Sequence, residues 1–191
     1  MSYGPNPWHQ QSWDWRAAAN FVGGGAGSGL IVAAALAGSG AWLFATGALL
    51  TGLGLLAVWA EIGRPLRALN VFLHPRRSWM SREAWVAPLL FAAVGAVLLA
   101  LPYATAAAAL LALAFVYCQA RILQAAKGIA VWREPLTAPL VVVTGLAGGA
   151  GAWLLLTAPT TAAPLLAWLG FAALLAARLA LWTAWRGRLR T

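Results

Sequence analysis

Apolar residues do not alternate along this chain. They run in six long blocks, at about 16–37, 41–62, 84–101, 105–124, 136–157 and 164–184, separated by polar or glycine-rich joints. Each block is close to the roughly 20 residues that an α-helix needs to cross a hydrocarbon layer. The pattern predicts an all-α fold, an integral membrane bundle of about six transmembrane helices in one domain over residues 1–191. Residues 1–15, MSYGPNPWHQQSWDW, read as an interfacial lead-in, with Trp8, Trp13 and Trp15 suited to the headgroup layer. They hold no short apolar region ending at a small-residue cleavage site, so no cleavable signal peptide is expected.

The joints alternate in character. Those at 38–40, 102–104 and 158–163 are short and uncharged. Those at 63–83 and 125–135 are longer and carry Arg64, Arg67, Arg76, Arg77, Arg82, Lys127 and Arg133. Arg16 and Arg121 lie at span ends on the same side, and Arg186, Arg188 and Arg190 follow the last span. With six spans, every Lys and Arg except Arg178 falls on one side. The positive-inside bias makes that side cytoplasmic, with both termini there. Arg178, about two turns before Arg186, is expected to snorkel to the same face. Trp42, Tyr103, Trp153 and Trp168 anchor the opposite edge.

Composition agrees with a membrane protein. The chain is 62% hydrophobic and 9% charged, against about a quarter charged in soluble domains. The net charge of +9 does not point to nucleic acid, because the basic residues sit in loops between spans. There they serve orientation, anionic lipid or an acidic partner. Cys118 is the only cysteine, which excludes an internal disulfide, a zinc knuckle and a self-contained iron–sulfur site. Neither His9 nor His74 lies in a span, which argues against haem held between helices.

The polar residues concentrate in WAEIGRPLRALNVFLHPRRSWMSREAW, residues 59–85, which holds five of the thirteen basic and two of the four acidic residues. Pro65–Leu73 reads as a short helix in the interface plane. Its Leu66, Leu69, Phe72 and Leu73 lie on one side, and Arg64, Arg67, Asn70 and His74 recur on another. Ser81 is a plausible N-cap for the third span, which puts Glu83 in its first turn. A carboxylate there is stabilised by the helix dipole, so capping competes with a functional role for Glu83. Glu61 ends the second span, where the dipole disfavours an anion. It reads either as a salt-bridge partner of Arg64 or Arg67, or as a proton-handling group at a membrane edge. The two readings are compatible. Surface ion pairing accounts for Asp14 and Glu134, and His74 reads as a solvated loop residue.

Two spans are rich in glycine. NFVGGGAGSGL contains the pair Gly25/Gly29, and TGLAGGAG contains Gly145/Gly149. Such faces let helices approach closely in lipid, or leave room for a flat ligand beside the backbone. No strand precedes either run, so neither is a dinucleotide or P-loop signal.

These residues resemble the membrane-anchor subunits of the dimethyl sulfoxide reductase and polysulfide reductase (DmsC/NrfD-like) family. E-I-G-R-P-L-R-A-L-N at 61–70 and S-W-M-S-R-E at 78–83 are similar to that family's loop between its second and third spans. The glycine-rich first span resembles it too, as does R-I-L-Q at 121–124 followed by a W-x-x-P element at 132–135. The opening W-D-W-R-A-A-A-N-F is similar to a subgroup associated with phenylacetyl-CoA:acceptor oxidoreductase. The resemblance implies an anchor in a bacterial inner membrane, without haem or an iron–sulfur cluster of its own. It implies partners as well: a four-cluster ferredoxin-like iron–sulfur subunit and a molybdopterin catalytic subunit. It further implies a quinone, menaquinone or ubiquinone, with which electrons are exchanged. Two departures stand out. Eight-span members are longer, and where the dimethyl sulfoxide reductase anchor has a histidine that matters for quinol this chain has Glu61.

The expected site follows from both lines. Glu61 would transfer a proton to or from quinone, and Arg64, Asn20, Gly24 and Glu83 would complete the pocket. Arg67, Arg76, Arg77 and Arg82 would dock the iron–sulfur subunit, with Arg82 and Glu83 also ordering the loop. The arginines place this face in the cytoplasm. A structural anchor without a quinone site is the alternative. A small transporter is disfavoured, since no charge lies at mid-bilayer.

Overall fold

A computed structural model of the protein describes residues 14–60, 65–126, 128–157 and 164–189. They form α1 (Trp15–Leu36), α2 (Ala41–Trp59), a 3-10 helix (Pro65–Leu73), α3 (Trp79–Leu98), α4 (Ala104–Ala125), a second 3-10 helix (Ala130–Arg133), α5 (Thr137–Thr157) and α6 (Leu165–Arg188). All six α-helices are long and apolar enough to cross a membrane, and the described residues contain no strand. The all-α bundle is as the apolar blocks predict. Helix α3 differs in register: it starts at Trp79, five residues before the expected 84. The N-cap is Ser78, whose hydroxyl accepts from the Ser81 amide at 3.4 Å, and not Ser81.

The two uncharged joints among the described residues close by left-handed residues. Gly38 has φ +59°, and the Ser39 amide returns to the Ala34 carbonyl at 2.9 Å. This is the usual glycine stop of a helix. Ala100 takes the same role after α3, at φ 53°, with the Leu101 amide on the Ala96 carbonyl at 3.0 Å.

Helix α1 is the centre of the bundle and packs against α2, α4 and α5. Lipid tails are as apolar as leucine, so helix association there rests on close packing and on hydrogen bonds. The glycines supply the packing. A β-carbon on Gly47 would lie 2.7 Å from the Gly27 carbonyl oxygen, and one on Gly149 would overlap the backbone of Gly29 and Leu30. The two GxxxG pairs face each other, and each fills the room left by the other. That answers the choice left open by the sequence in favour of packing.

Helix α6 is attached differently. It packs chiefly on α5, and none of its residues is buried. A polar seam joins the two in antiparallel register. Arg188 meets Glu134 at 3.1 Å, Trp185 Nε1 donates to Thr137 Oγ1 at 3.0 Å, and Arg178 Nε donates to Thr144 Oγ1 at 3.2 Å. The expected ion pairing of Glu134 is thus with the end of α6. Asp14 caps α1 by accepting from the Arg16 amide at 2.7 Å.

Overpacking a tight contact costs about 1–3 kcal/mol. Gly149→Ala is therefore expected to lower the melting midpoint of the detergent-solubilised protein. Gly95→Ala, where nothing lies within 4 Å, is expected to leave it unchanged or raised. Equal midpoints for the two variants would contradict the packing account.

Candidate functional site

The start of α3, the end of α4 and the first half of α1 meet at the arginine-bearing edge. Because α3 begins at Trp79, Glu83 lies beyond its first turn, which holds no acidic residue. The expected capping role is therefore excluded. Glu83 is instead carried into the bundle, where it is 7% exposed.

Its neighbour is Gln119 of α4, which is fully buried. Gln119 Nε2 donates to the Asn20 carbonyl of α1 at 3.0 Å, and the same side chain neighbours the Glu83 carboxyl. One amide thus stands where three helices meet. Asn20 is itself buried, at 5% exposed. Gly24 has a specific reason to be glycine: a β-carbon there would collide with Gln119 Nε2 and lie 3.0 Å from Phe115 Cε1. Its space belongs to the Gln119 amide, beside the expected pocket.

This cluster is rich in unmatched polar atoms. Among the described residues, Glu83 Oε1, Gln119 Oε1 and Asn20 Oδ1 are buried without a hydrogen-bond partner, as is Arg121 Nε toward the edge. Leaving such an atom unpaired costs about 1–3 kcal/mol. Native interiors rarely tolerate several together, so the group is suited to binding something polar. Three of the four atoms are oxygens and hence acceptors.

The loop before α3 is braced rather than free. Arg82 Nε donates to the Pro75 carbonyl at 2.9 Å, and one Nη donates to the Arg76 carbonyl at 3.1 Å. Its guanidinium also lies 4.0 Å from the Trp79 ring centroid. Arg82 therefore orders the loop. Trp85 Nε1 donates to the Phe72 carbonyl at 3.1 Å, and their rings meet edge to face at 5.4 Å. Trp79 also meets the Tyr117 ring at 5.7 Å and the Arg121 guanidinium at 4.9 Å, which clamps α3 to α4.

Arg76 and Arg77 are exposed and line an open depression with Leu73, His74 and Pro75. They stand where a partner would reach them. Glu61 and Arg64 lie outside the described residues, and of Arg67 only the backbone is described. The structure therefore brings together Asn20, Gly24 and Glu83 of the expected pocket. It adds Gln119, Trp79 and Arg121. Gln119 had a legible signal, an uncharged amide inside an apolar run. Trp79 had none beyond being one of many tryptophans.

A family model for the DMSO reductase anchor subunit (DmsC) matches residues 42–183. The chain belongs to that family. No curated protein and no solved structure matches it. The matched region of this anchor subunit takes in α2 from its second residue, α3 to α5 whole and most of α6, while α1 precedes it. As an anchor of the DMSO reductase type, the subunit associates with the catalytic and iron–sulfur subunits of a molybdoenzyme.

Arg82 makes charge-assisted bonds, each worth about 1.5–3 kcal/mol. Arg82→Ala is expected to speed tryptic cleavage after Arg76 and Arg77 in the detergent-solubilised protein. Arg82→Lys should not restore protection, because an ammonium lacks the planar fork that serves two carbonyls and a ring. Cleavage at the wild-type rate in Arg82→Ala would contradict this bracing.

Proposed function

We propose that this anchor subunit binds a quinone or quinol headgroup at the α1–α3–α4 cluster and passes electrons between it and the partner iron–sulfur subunit. One observation carries the reading: Glu83 Oε1, Gln119 Oε1 and Asn20 Oδ1 are buried acceptors, unpaired among the described residues. A quinol presents two hydroxyl donors on a flat apolar ring, which is the complement of such a set. When bound, it supplies two electrons and two protons. Glu83 accepts from a hydroxyl and takes up its proton at Oε1. Gln119 orients that carboxyl from one side while gripping α1 through the Asn20 carbonyl. Arg121 Nε is the donor available to a quinone carbonyl.

Glu61 and Arg64 belong to the proposal through the sequence. They follow α2 at the same edge and would serve as a second proton-handling pair. Arg67, Arg76 and Arg77 would dock the iron–sulfur subunit, and the one-sided distribution of Lys and Arg places that docking in the cytoplasm.

Removal of a positioned acid–base group typically costs 10²–10⁴-fold in rate. Glu83→Gln keeps the side-chain volume and removes the proton acceptor. In the assembled complex it is expected to lower quinol-linked turnover by about 10²-fold or more. Turnover driven by a soluble artificial electron donor to the catalytic subunit should stay unchanged. Gln119→Leu should raise the quinol KM more than it lowers kcat. Glu61→Gln in the same assay ranks the two carboxylates. Wild-type quinol turnover in Glu83→Gln would sink the assignment of this cluster.

A further inference from the structure

Arg178 is bonded to α5 on its way along the outside of the bundle. It lies ten residues before the end of α6 and one turn deeper than Trp182. Its Nε donates to Thr144 Oγ1 at 3.2 Å, and the Thr144 hydroxyl donates to the Leu140 carbonyl at 2.7 Å. The guanidinium is thereby moored to α5. Its side chain is nevertheless exposed on the outside of the bundle. The ion pairs among the described residues are Arg16–Asp14 and Arg188–Glu134, so Arg178 has no carboxylate there. Its Nη groups have no partner among the described residues. A cation on a lipid-facing surface requires an anion to meet it.

The surroundings indicate which anion. Arg178, Trp182 and Arg186 recur every four residues and so share one stripe of α6. The Trp182 ring stacks on Trp185 at 5.4 Å, and the Arg186 guanidinium lies 5.9 Å from the Trp182 centroid. Trp185 is pinned to Thr137. Two cations thus bracket an indole pair along the outer α5–α6 groove. Tryptophan favours the headgroup and glycerol level, and basic grooves between spans suit anionic lipid headgroups. We propose that this groove is a binding site for an acidic phospholipid, its phosphate held by Arg178 and Arg186 and its glycerol region lying against the indoles.

The test uses the assembled complex in nanodiscs, either of phosphatidylcholine alone or with phosphatidylglycerol. Native mass spectrometry of the wild type is expected to retain phosphatidylglycerol, and its melting midpoint should rise in discs that contain it. Arg178→Gln should lose both effects. Thr144→Ala keeps the charge but unmoors the guanidinium, and should weaken retention several-fold. If Arg178→Gln does not assemble, Thr144→Ala and Arg186→Gln are read for the same adduct. Retention at the wild-type level in the variants that assemble would overturn the proposal. So would a wild type without the adduct, or a photoreactive group at position 178 that labels protein and not lipid.

Discussion

Close contact between bare helix backbones is the constraint on which this structure depends. In lipid, burying leucine gains little, so helices must be held by shape and by a few polar bonds. Helix α1 meets that demand on more than one side. Gly27 sits against Gly47 and Thr51 of α2, Gly29 against Gly145 and Gly149 of α5, and Gly24 against Gln119 of α4. The last contact differs in kind, because what the glycine admits is an amide rather than another backbone. The packing that holds the bundle together also brings the polar cluster into it.

From that cluster the division of labour follows. Buried polar groups are costly unless paired, and a half-paired group is a place where a ligand gains most. Gln119 is committed to the Asn20 carbonyl beside Glu83, where three helices come together. The remaining oxygens have no donor among the described residues. Above the cluster, Arg82 and Trp79 hold the loop and the clamp between α3 and α4, leaving Arg76 and Arg77 on the surface. At the far side, α6 is joined by a polar seam rather than by apolar burial, and turns most of its apolar surface outward.

Much of the fold was legible because membrane thickness imposes a long, uninterrupted period on the sequence. The six spans are direct results of that, whereas Gly25/Gly29 and Gly145/Gly149 read only as close-packing faces and their meeting each other came from the fold. The start of α3 was not legible. Residues 79–83 are polar enough to resemble loop, and Ser78 and Ser81 are equivalent caps by composition. The choice between them moves Glu83 from a solvated first turn to the interior, which changes its chemistry. Asn20, Gly24 and Glu83 were singled out from the sequence, and the fold brings them to one place. Gln119 was missed because a single amide within FVYCQARILQ carries no periodic signal, and its importance comes from what α1 and α3 bring to it. Arg82 was assigned both to the loop and to docking, and its hydrogen bonds show its part in the loop.

The central claim is that a quinone headgroup occupies the cluster formed by α1, α3 and α4. Photolabelling the assembled complex with an azidoquinone, followed by peptide mapping, tests it most directly. Labels confined to residues around Asn20, Glu83 and Gln119, and competed away by excess quinone, are the predicted result. Competable labelling on another face of the subunit, or none on this chain, would contradict it.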